Sequence, residues 1–248
     1  MKSFLKKHGL AVGVILALLS ALVLGTNVNA LKKGMLTDTI VINDPTYCMF
    51  AQDGRQYIVA EGATEILVLS DEGEYLFSIQ GGKRSNGFYY AQSIVADEDG
   101  NLYVHDRLLN ENGKDIDSER IVVFNHAGRF QEYLFEEPHD TDTQGENRNQ
   151  LYALTYLDGA LQMVRVETDS FTLYQIDLEN GYLDAVQSYR YEDAFRVLMA
   201  FAVSPDGQVY FSDKYGSVWQ ASADSAHICL YDASQYGDEN FYSMVTDI

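Results

Sequence analysis

Residues 95–104 read VADEDGNLYV, and this phrase recurs along the chain. It returns as FAQDGRQYIV at residues 50–59 and as VSPDGQVYF at residues 203–211, with a weaker copy, LTYLDGAL, at residues 154–161. Each copy joins an apolar run to a second run through Asp-Gly. This pattern predicts a β-hairpin, because glycine accepts the positive φ that a tight turn requires. A repeated hairpin indicates a repeat architecture.

Two further strands follow the clearest hairpin, at residues 120–124 (RIVVF) and 130–135 (FQEYLF). Four short antiparallel strands in one repeat are typical of a β-propeller blade. The aligned glycines are roughly 50 residues apart, which is close to the length of a blade. They are Gly54, Gly100, Gly159 and Gly207. We therefore predict an all-β fold, a propeller of four-stranded antiparallel blades. The longest interval holds two polar inserts, residues 107–119 and 136–149, which we predict to be loops.

Residues 94–130 resemble an NHL repeat. The shared motif comprises the opening IVAD at residues 94–97, DGN at 99–101, YVHD at 103–106, RIVVF at 120–124 and GRF at 128–130. The first and fourth units carry about half of this motif. The resemblance extends from residue 46 to the end and implies a propeller. It implies little about function, since the family includes protein-binding and RNA-binding modules, lyases and propellers of bacterial envelope proteins.

The last six residues, 243–248, read SMVTDI and align with SIVADE at residues 93–98. On this alignment they open a fifth blade, so the sequence predicts a propeller that is truncated after four blades and the start of a fifth. The alternative is that they form the fourth strand of a blade that closes the ring.

The N-terminus carries a membrane signal. Residues 1–8 are basic and predict a short cytoplasmic tail, and residues 9–31 are uncharged and long enough for one transmembrane signal-anchor helix. This orientation places the propeller outside the cytoplasm, at the cell membrane. The alternative is a cleaved signal peptide and a secreted protein, because residues 28–30 suit a signal peptidase. Residues 32–45 are then a linker and first strand, and residues 46–248 the incomplete propeller.

The chain is strongly acidic, with a formal net charge of −20 at pH 7. This charge argues against nucleic acid, whose phosphates require a basic surface. It also disfavours contact with an anionic membrane surface, so we expect membrane contact through the N-terminal helix only. The partners that remain are a protein, a peptide or a small-molecule or glycan ligand at a face of the propeller.

Cysteines and tyrosines give weaker signals. Cys48 and Cys229 lie in predicted strands of different blades, so we expect two buried thiols rather than a disulfide. Most of the 18 tyrosines are expected to pack between blades. Four of them lie near blade-opening segments and are candidates to line a binding mouth, although packing is the more common role for any one. These are Tyr89, Tyr90, Tyr189 and Tyr191.

The sequence contains no recognisable catalytic motif. It lacks a Ser-His-Asp order, a His-x-x-x-His pair, a phosphate-binding glycine loop and a Cys-x-x-Cys pair. We therefore predict no catalytic residues and no cofactor. One weak calcium candidate comprises Asp140, Asp142 and Gln144, which are spaced like the first ligands of a calcium loop. Position twelve of that loop is Leu151 instead of glutamate, so an acidic solvated loop is the stronger reading.

Two sets of aspartates recur at equivalent positions. One set precedes the turn glycines, where a carboxylate accepts hydrogen bonds from the turn backbone. It comprises Asp53, Asp99, Asp158 and Asp206. The other set, Asp106 and Asp213, ends two second strands, and we predict that these residues cap turns.

Together these patterns favour a membrane-anchored, extracytoplasmic propeller that binds a ligand or a protein as a sensor or interaction module. One rival is a metal-dependent propeller enzyme of lactonase or lyase type. Such an enzyme requires carboxylates, Asn or His from several blades to converge on the central channel. A second rival is a secreted propeller that serves only as a scaffold.

Overall fold

The computed structural model describes residues 41–82, 87–109, 116–138, 150–167, 170–190, 198–213, 215–224 and 226–233. These residues form four antiparallel sheets of four strands each. Blade 1 contains β1 (Tyr47–Phe50), β2 (Gln56–Ala60), β3 (Glu65–Leu69) and β4 (Tyr75–Gln80). Blade 2 contains β5 (Ala91–Ala96), β6 (Leu102–Leu109), β7 (Ile116–Phe124) and β8 (Phe130–Pro138). Blade 3 contains β9 (Gln150–Leu157), β10 (Ala160–Val166), β11 (Ser170–Ile176) and β12 (Leu183–Arg190). Blade 4 contains β13 (Leu198–Val203), β14 (Val209–Asp213), β15 (Val218–Gln220) and β16 (Ile228–Tyr231).

The first strands of successive blades contact one another. These contacts join β1 to β5, β5 to β9 and β9 to β13, so the four strands are the innermost of their blades. Within the described ranges, no contact of similar extent joins β13 to β1. The predicted all-β propeller of four-stranded antiparallel blades is confirmed for four blades. The predicted fifth blade at residues 243–248 and the anchor at residues 9–31 lie outside the described residues.

No helix within the described ranges is long and apolar enough to cross a membrane.

Three apolar seams join the blades face to face. The first seam buries Val59 and Ile66 of blade 1 against Val104 and Val122 of blade 2. Both faces of a middle strand are used, because side chains alternate along it. In β6, Val104 faces the first seam, whereas Tyr103 belongs to the seam between blades 2 and 3. This double burial explains why the middle strands read as nearly continuous apolar runs.

Aromatic rings dominate the third seam, between blades 3 and 4. The Phe171 ring lies 5.1 Å from that of Phe201 and 5.3 Å from that of Phe211, measured between centroids. The two pairs meet edge to face, which is a favourable arrangement for aromatic rings. Phe171 and Phe211 are completely buried.

Most of the described turns share one geometry, whereas Asp158 and Gly159 form a two-residue turn between Leu157 and Ala160. Gly100 has a φ of 78°, and its N–H donates to the carbonyl of Asp97 at 3.1 Å. The Asp97 carboxylate accepts the N–H groups of Asp99 at 3.0 Å and Asn101 at 2.8 Å. The side chain three positions before the glycine therefore caps the turn. The same role falls to Ser70, Asn125, Ser204 and Asp213.

The predicted role of the aspartates beside the glycines is only partly right. Asp53 does accept the N–H of Arg55, at 3.0 Å. Asp99 instead donates its own N–H to Asp97. The Asp206 carboxylate accepts from the Ser204 hydroxyl, and Asp158 takes a positive φ of 50°. The residue that starts the turn caps it better, because its side chain lies over the N–H groups left inside the turn.

The same register explains an unsatisfied hydroxyl in blade 1. Asp97 accepts the hydroxyl of Tyr103 at 3.1 Å. Ala51 and Tyr57 are the equivalent residues of blade 1, so the acceptor is missing there. Tyr57 is 1% exposed, and its hydroxyl makes no hydrogen bond of standard geometry among the described residues, although Arg55 lies nearby. A buried polar group without a partner costs about 1–3 kcal/mol.

We predict that Ala51→Asp raises the free energy of unfolding by about 1 kcal/mol, because the new carboxylate caps the turn and accepts the Tyr57 hydroxyl. Urea denaturation of the full chain measures this change. The matched control is the same substitution in a Tyr57→Phe background, where only the capping contribution should remain. An equal gain in both backgrounds, or no gain, contradicts the explanation.

The first insert is partly strand instead of loop. Residues 107–119 were predicted to be irregular, yet Arg107 pairs with Glu119 and Leu108 with Ser118 across β6 and β7. Strand β8 likewise continues to Pro138, into the second insert. The prediction is wrong because polar residues also occur in strands whose charges pair across the sheet. Opposite charges in cross-strand positions stabilise a sheet. In the sequence, however, the same charged residues resemble a polar loop.

Both cysteines lie in strands of different blades, as predicted, and no disulfide joins them. The prediction that the thiols are buried was wrong, since Cys48 in β1 and Cys229 in β16 are exposed. Each belongs to a blade at one end of the described series. Such a blade has a neighbouring blade on one side only within the described part of the chain.

Candidate binding face

The two ends of the propeller differ in the segments that link their strands. Because successive strands run in opposite directions, every link from an odd to an even strand lies at one end. We call this end the turn face, and it carries the hairpin turns of Gly54, Gly100, Gly159 and Gly207. Links from even to odd strands lie at the opposite end, which we call the connection face. Along the chain, the remaining residues of the two polar inserts follow β6 and β8, which are even strands.

Asp106, near the connection end of β6, holds the chain that enters blade 2. Its Oδ1 atom accepts the N–H groups of Tyr89 at 2.6 Å and Tyr90 at 2.7 Å. Its Oδ2 atom accepts from Arg120 Nε at 2.8 Å. Arg120 also donates to the Gly87 carbonyl at 2.9 Å. Asp106 and Arg120 therefore clamp residues 87–90 against the sheet.

Tyr133 closes the clamp from outside. The guanidinium carbon of Arg120 lies 4.1 Å from the Tyr133 ring centroid, and the tyrosine hydroxyl donates to the Gly87 carbonyl at 3.3 Å. Burial raises the pKa of the Asp106 carboxyl, and the hydrogen bond from Arg120 opposes that rise. A charge that is this deeply buried depends on its partners, so loss of either one is costly.

Asp213, the equivalent residue of blade 4, caps a turn as predicted. Its Oδ1 atom accepts the N–H groups of Tyr215 at 2.8 Å and Ser217 at 3.1 Å. Its Oδ2 atom accepts from Trp219 Nε1 at 3.0 Å. Asp213 is therefore used within its own blade, whereas Asp106 ties a connection to its blade.

A second polar group faces the seam between blades 2 and 3. Glu119 is buried, and its Oε1 atom lies 2.7 Å from Arg107 Nε and 3.2 Å from His105 Nε2. Arg107 also donates to Gln92 Oε1 at 3.0 Å. Gln92 is exposed on the innermost strand β5. The network therefore reaches from a buried carboxylate to the innermost strand of the propeller.

An ion pair crosses the same seam. Arg165 Nη2 of β10 donates to Glu137 Oε1 of β8 at 2.5 Å, and Glu137 is the cross-strand neighbour of Glu119. Glu137 Oε2 and Arg165 Nε are buried and have no hydrogen-bond partner in the described part of the chain. The seam thus combines two arginines with two carboxylates, and its formal charges cancel.

The structure describes only some of the predicted site residues. Asp140, Asp142, Gln144 and Tyr191 lie outside the described residues. Within the described ranges, no group of three or more His, Cys, Asp or Glu side chains is placed to hold a metal ion. Tyr89 and Tyr90 form an edge-to-face pair at 4.7 Å and are half-buried at the connection face. Tyr189 is buried and stacks on Phe171 at 5.0 Å, which is a packing role.

Sequence reasoning missed Glu119, Arg120 and Arg165. Arg120 lies directly opposite Asp106, and Glu119 lies directly opposite Arg107. Both are oppositely charged cross-strand pairs, a signal that becomes readable only when the first insert is treated as strand. Arg165 meets Glu137 across a seam, and no local pattern predicts such a contact.

No family model matches this chain, and no curated protein sequence matches it. Solved structures resemble it weakly. A protein from Lactobacillus plantarum is 13% identical with a TM-score of 0.47, over 78% of this chain and 57% of that one. A streptogramin B lyase is 14% identical with a TM-score of 0.47, over 77% and 56%. A nidogen/laminin complex is 18% identical with a TM-score of 0.48, over 75% and 63%.

This chain spans little more than half the length of the first two solved structures. At such identities the likeness concerns the fold alone. The resemblance to NHL repeats therefore stays a prediction.

We predict that Asp106→Asn lowers the free energy of unfolding by about 3–5 kcal/mol, because it leaves the Arg120 charge without its carboxylate. Urea denaturation measures the loss. Asp117→Asn is the matched control, since Asp117 is exposed on the neighbouring strand and its substitution should change stability by less than about 0.5 kcal/mol. Similar effects of the two substitutions would refute the clamp.

We also predict a loss of stability at alkaline pH. Burial is the main cause that raises the pKa of five tyrosines above the ordinary value of 10.0, namely Tyr57, Tyr103, Tyr156, Tyr174 and Tyr189. A raised pKa in the folded state contributes stability below the unfolded pKa, and this contribution falls as pH rises beyond it. Unfolding midpoints should therefore fall steeply above about pH 10.

The loss of stability at alkaline pH should depend on the buried tyrosines and not on exposed ones. Tyr103→Phe should flatten the decrease measured by urea denaturation between about pH 9 and 11. Tyr182→Phe should leave it unchanged, because Tyr182 is 71% exposed. A decrease that is unaffected by Tyr103→Phe contradicts this account.

Proposed function

We propose that the protein is a membrane-anchored, extracytoplasmic propeller that binds a ligand or protein at its connection face. The anchor at residues 9–31 and the basic residues before it support this location. A rigid set of blades that presents loops at one end is a common way to build a binding surface.

The difference between the two faces is the observation that carries this proposal. At the turn face, hydrogen bonds within each hairpin satisfy the backbone, as they do around Gly100 and Gly207. At the connection face, the segments vary in length, and Asp106 and Arg120 hold one of them in place. Asp106 and Arg120 are buried charges that hold the segment at residues 87–90 in a fixed position. We infer that the position of this segment is important for binding.

The charges at the connection face restrict the ligand. Arg107, Arg120 and Arg165 each pair with a carboxylate there. Their positive charge is already neutralised, and the chain as a whole is acidic. We therefore expect a neutral or cationic ligand, such as a glycan or a basic peptide, instead of a phosphate-rich one.

Arrays test the proposal directly. The full chain in detergent micelles is applied to a glycan array and a peptide array. We then replace residues 110–115 by six Gly and Ser residues. We predict at least a tenfold loss of the signal on the bound array spots with an unchanged melting temperature, because the replacement keeps the length of the segment between the end of β6 at Leu109 and the start of β7 at Ile116.

The matched control alters the turn face. Asp71→Asn together with Glu72→Gln changes two exposed charges there and should leave array binding unchanged. If binding is unchanged by the loop replacement but lost with the turn-face substitutions, the binding site lies at the turn face, and the proposal is contradicted. Chemical conversion of the bound array molecule would favour an enzyme of lactonase or lyase type.

A further inference from the structure

Among the described residues, Ser93 has a buried hydroxyl whose lack of a hydrogen-bond partner is not explained by the packing within its blade or between blades. The unsatisfied Tyr57 hydroxyl follows from Ala51, and the orphan atoms of Glu137 and Arg165 belong to an ion pair. Ser93 Oγ is buried and has no hydrogen-bond partner among the described residues. An alanine at this position would avoid that cost of about 1–3 kcal/mol.

The neighbours of Ser93 are chemically specific. Ser93 lies on the innermost strand β5, directly opposite His105 in the β5–β6 ladder. Residues that face each other in this way have Cβ atoms about 5 Å apart. The two side chains form no hydrogen bond in this structure, and a rotation of the Ser93 side chain about χ1 is required to bring Oγ to the imidazole. His105 Nε2 lies 3.2 Å from Glu119 Oε1, so a carboxylate orients the imidazole from its far side.

The carboxylate is itself held in place. Arg107 Nε lies 2.7 Å from Glu119 Oε1, and Arg107 Nη1 donates to Gln92 Oε1 at 3.0 Å. The row runs Ser93, His105, Glu119, in the order nucleophile, base and orienting acid. Serine hydrolases of unrelated folds share this order in space, and it is defined by geometry and roles, not by sequence position.

We propose that Ser93 is a nucleophile, that His105 is its general base and that Glu119 is the positioning residue of the pair. The substrate class is a small carboxylic ester or lactone. This activity goes beyond ligand binding and requires no metal ion.

The reaction balances without a further reactant except water. Ser93 Oγ attacks the carbonyl carbon and forms a C–O bond, while its proton passes to His105. The bond to the leaving oxygen breaks, and His105 returns the proton to that oxygen. Water, deprotonated by His105, then attacks the carbonyl carbon of the acyl-serine, the bond from that carbon to Ser93 Oγ breaks, and His105 returns the proton to Oγ. The products are a carboxylic acid and an alcohol.

Labelling with diisopropyl fluorophosphate tests the proposal. The probe must be small, because the Oγ atom is buried although the residue is partly exposed. Oγ attacks phosphorus, the P–F bond breaks, fluoride leaves, and the serine proton passes through His105 to solvent. We expect one adduct per full chain in detergent micelles, located on Ser93 by peptide mass spectrometry.

Variants separate the roles. Ser93→Ala should abolish the adduct and melt no lower than the wild type, because it removes an unsatisfied hydroxyl. Ser204→Ala is the matched control and should label normally, since Ser204 already bonds Gln208 within a turn. His105→Gln should slow labelling by about 100-fold, the contribution typical of a general base.

Glu119 requires a readout of its own. Glu119→Gln should slow labelling, and Glu119→Asp should restore part of the rate at a similar melting temperature. Absence of an adduct in the wild type, an adduct that persists in Ser93→Ala, or wild-type labelling by folded His105→Gln would each overturn the proposal. If His105→Gln does not fold, Ser93→Ala and Glu119→Gln decide the outcome.

Discussion

Face-to-face packing of successive blades is the constraint on which the rest of this structure depends. Most of the apolar core lies between blades, because a single sheet buries a face only against a neighbour. The exception among the described residues is the second face of blade 1, where Ile58 and Leu67 are buried with Ile42 packed against them. Val59 and Val104 meet in one seam, and Phe171 and Phe211 meet in another. The middle strands must therefore be apolar on both faces. Most buried charged groups lie near strand ends and are paired with an oppositely charged group, as Asp106 is with Arg120 and Glu119 with Arg107.

That constraint divides the molecule into two kinds of surface. The turn face repeats one short hydrogen-bonded unit, in which a residue such as Asp97 or Asn125 caps the turn before its glycine. At the connection face, the same unit is formed by Asp213 between β14 and β15. In blade 2 the connection face carries the Asp106–Arg120 clamp and the buried Glu119, which pairs with Arg107. These buried charges are stable only because each is paired with an opposite charge.

The sequence predicts the fold far better than the site. Asp-Gly turns and apolar runs are local signals, so the hairpins and the four-stranded blades could be read directly. The first insert was misread because the pairing of Arg107 with Glu119 and of Asp106 with Arg120 is a cross-strand relation. The contact between Arg165 and Glu137 depends on how two blades meet, which no local pattern specifies. Ser93 lies opposite His105 because of the pairing register of β5 and β6, which the sequence does not show directly.

Hydrogen exchange measured along the native chain tests the central claim most directly. If packing between blades holds the fold, amides of the middle strands of blades 2 and 3 should exchange most slowly, because these strands lie between two seams. These strands are β6, β7, β10 and β11. Amides of the outermost strands β4, β8, β12 and β16 should exchange much faster. Equal protection of middle and outermost strands would contradict the account.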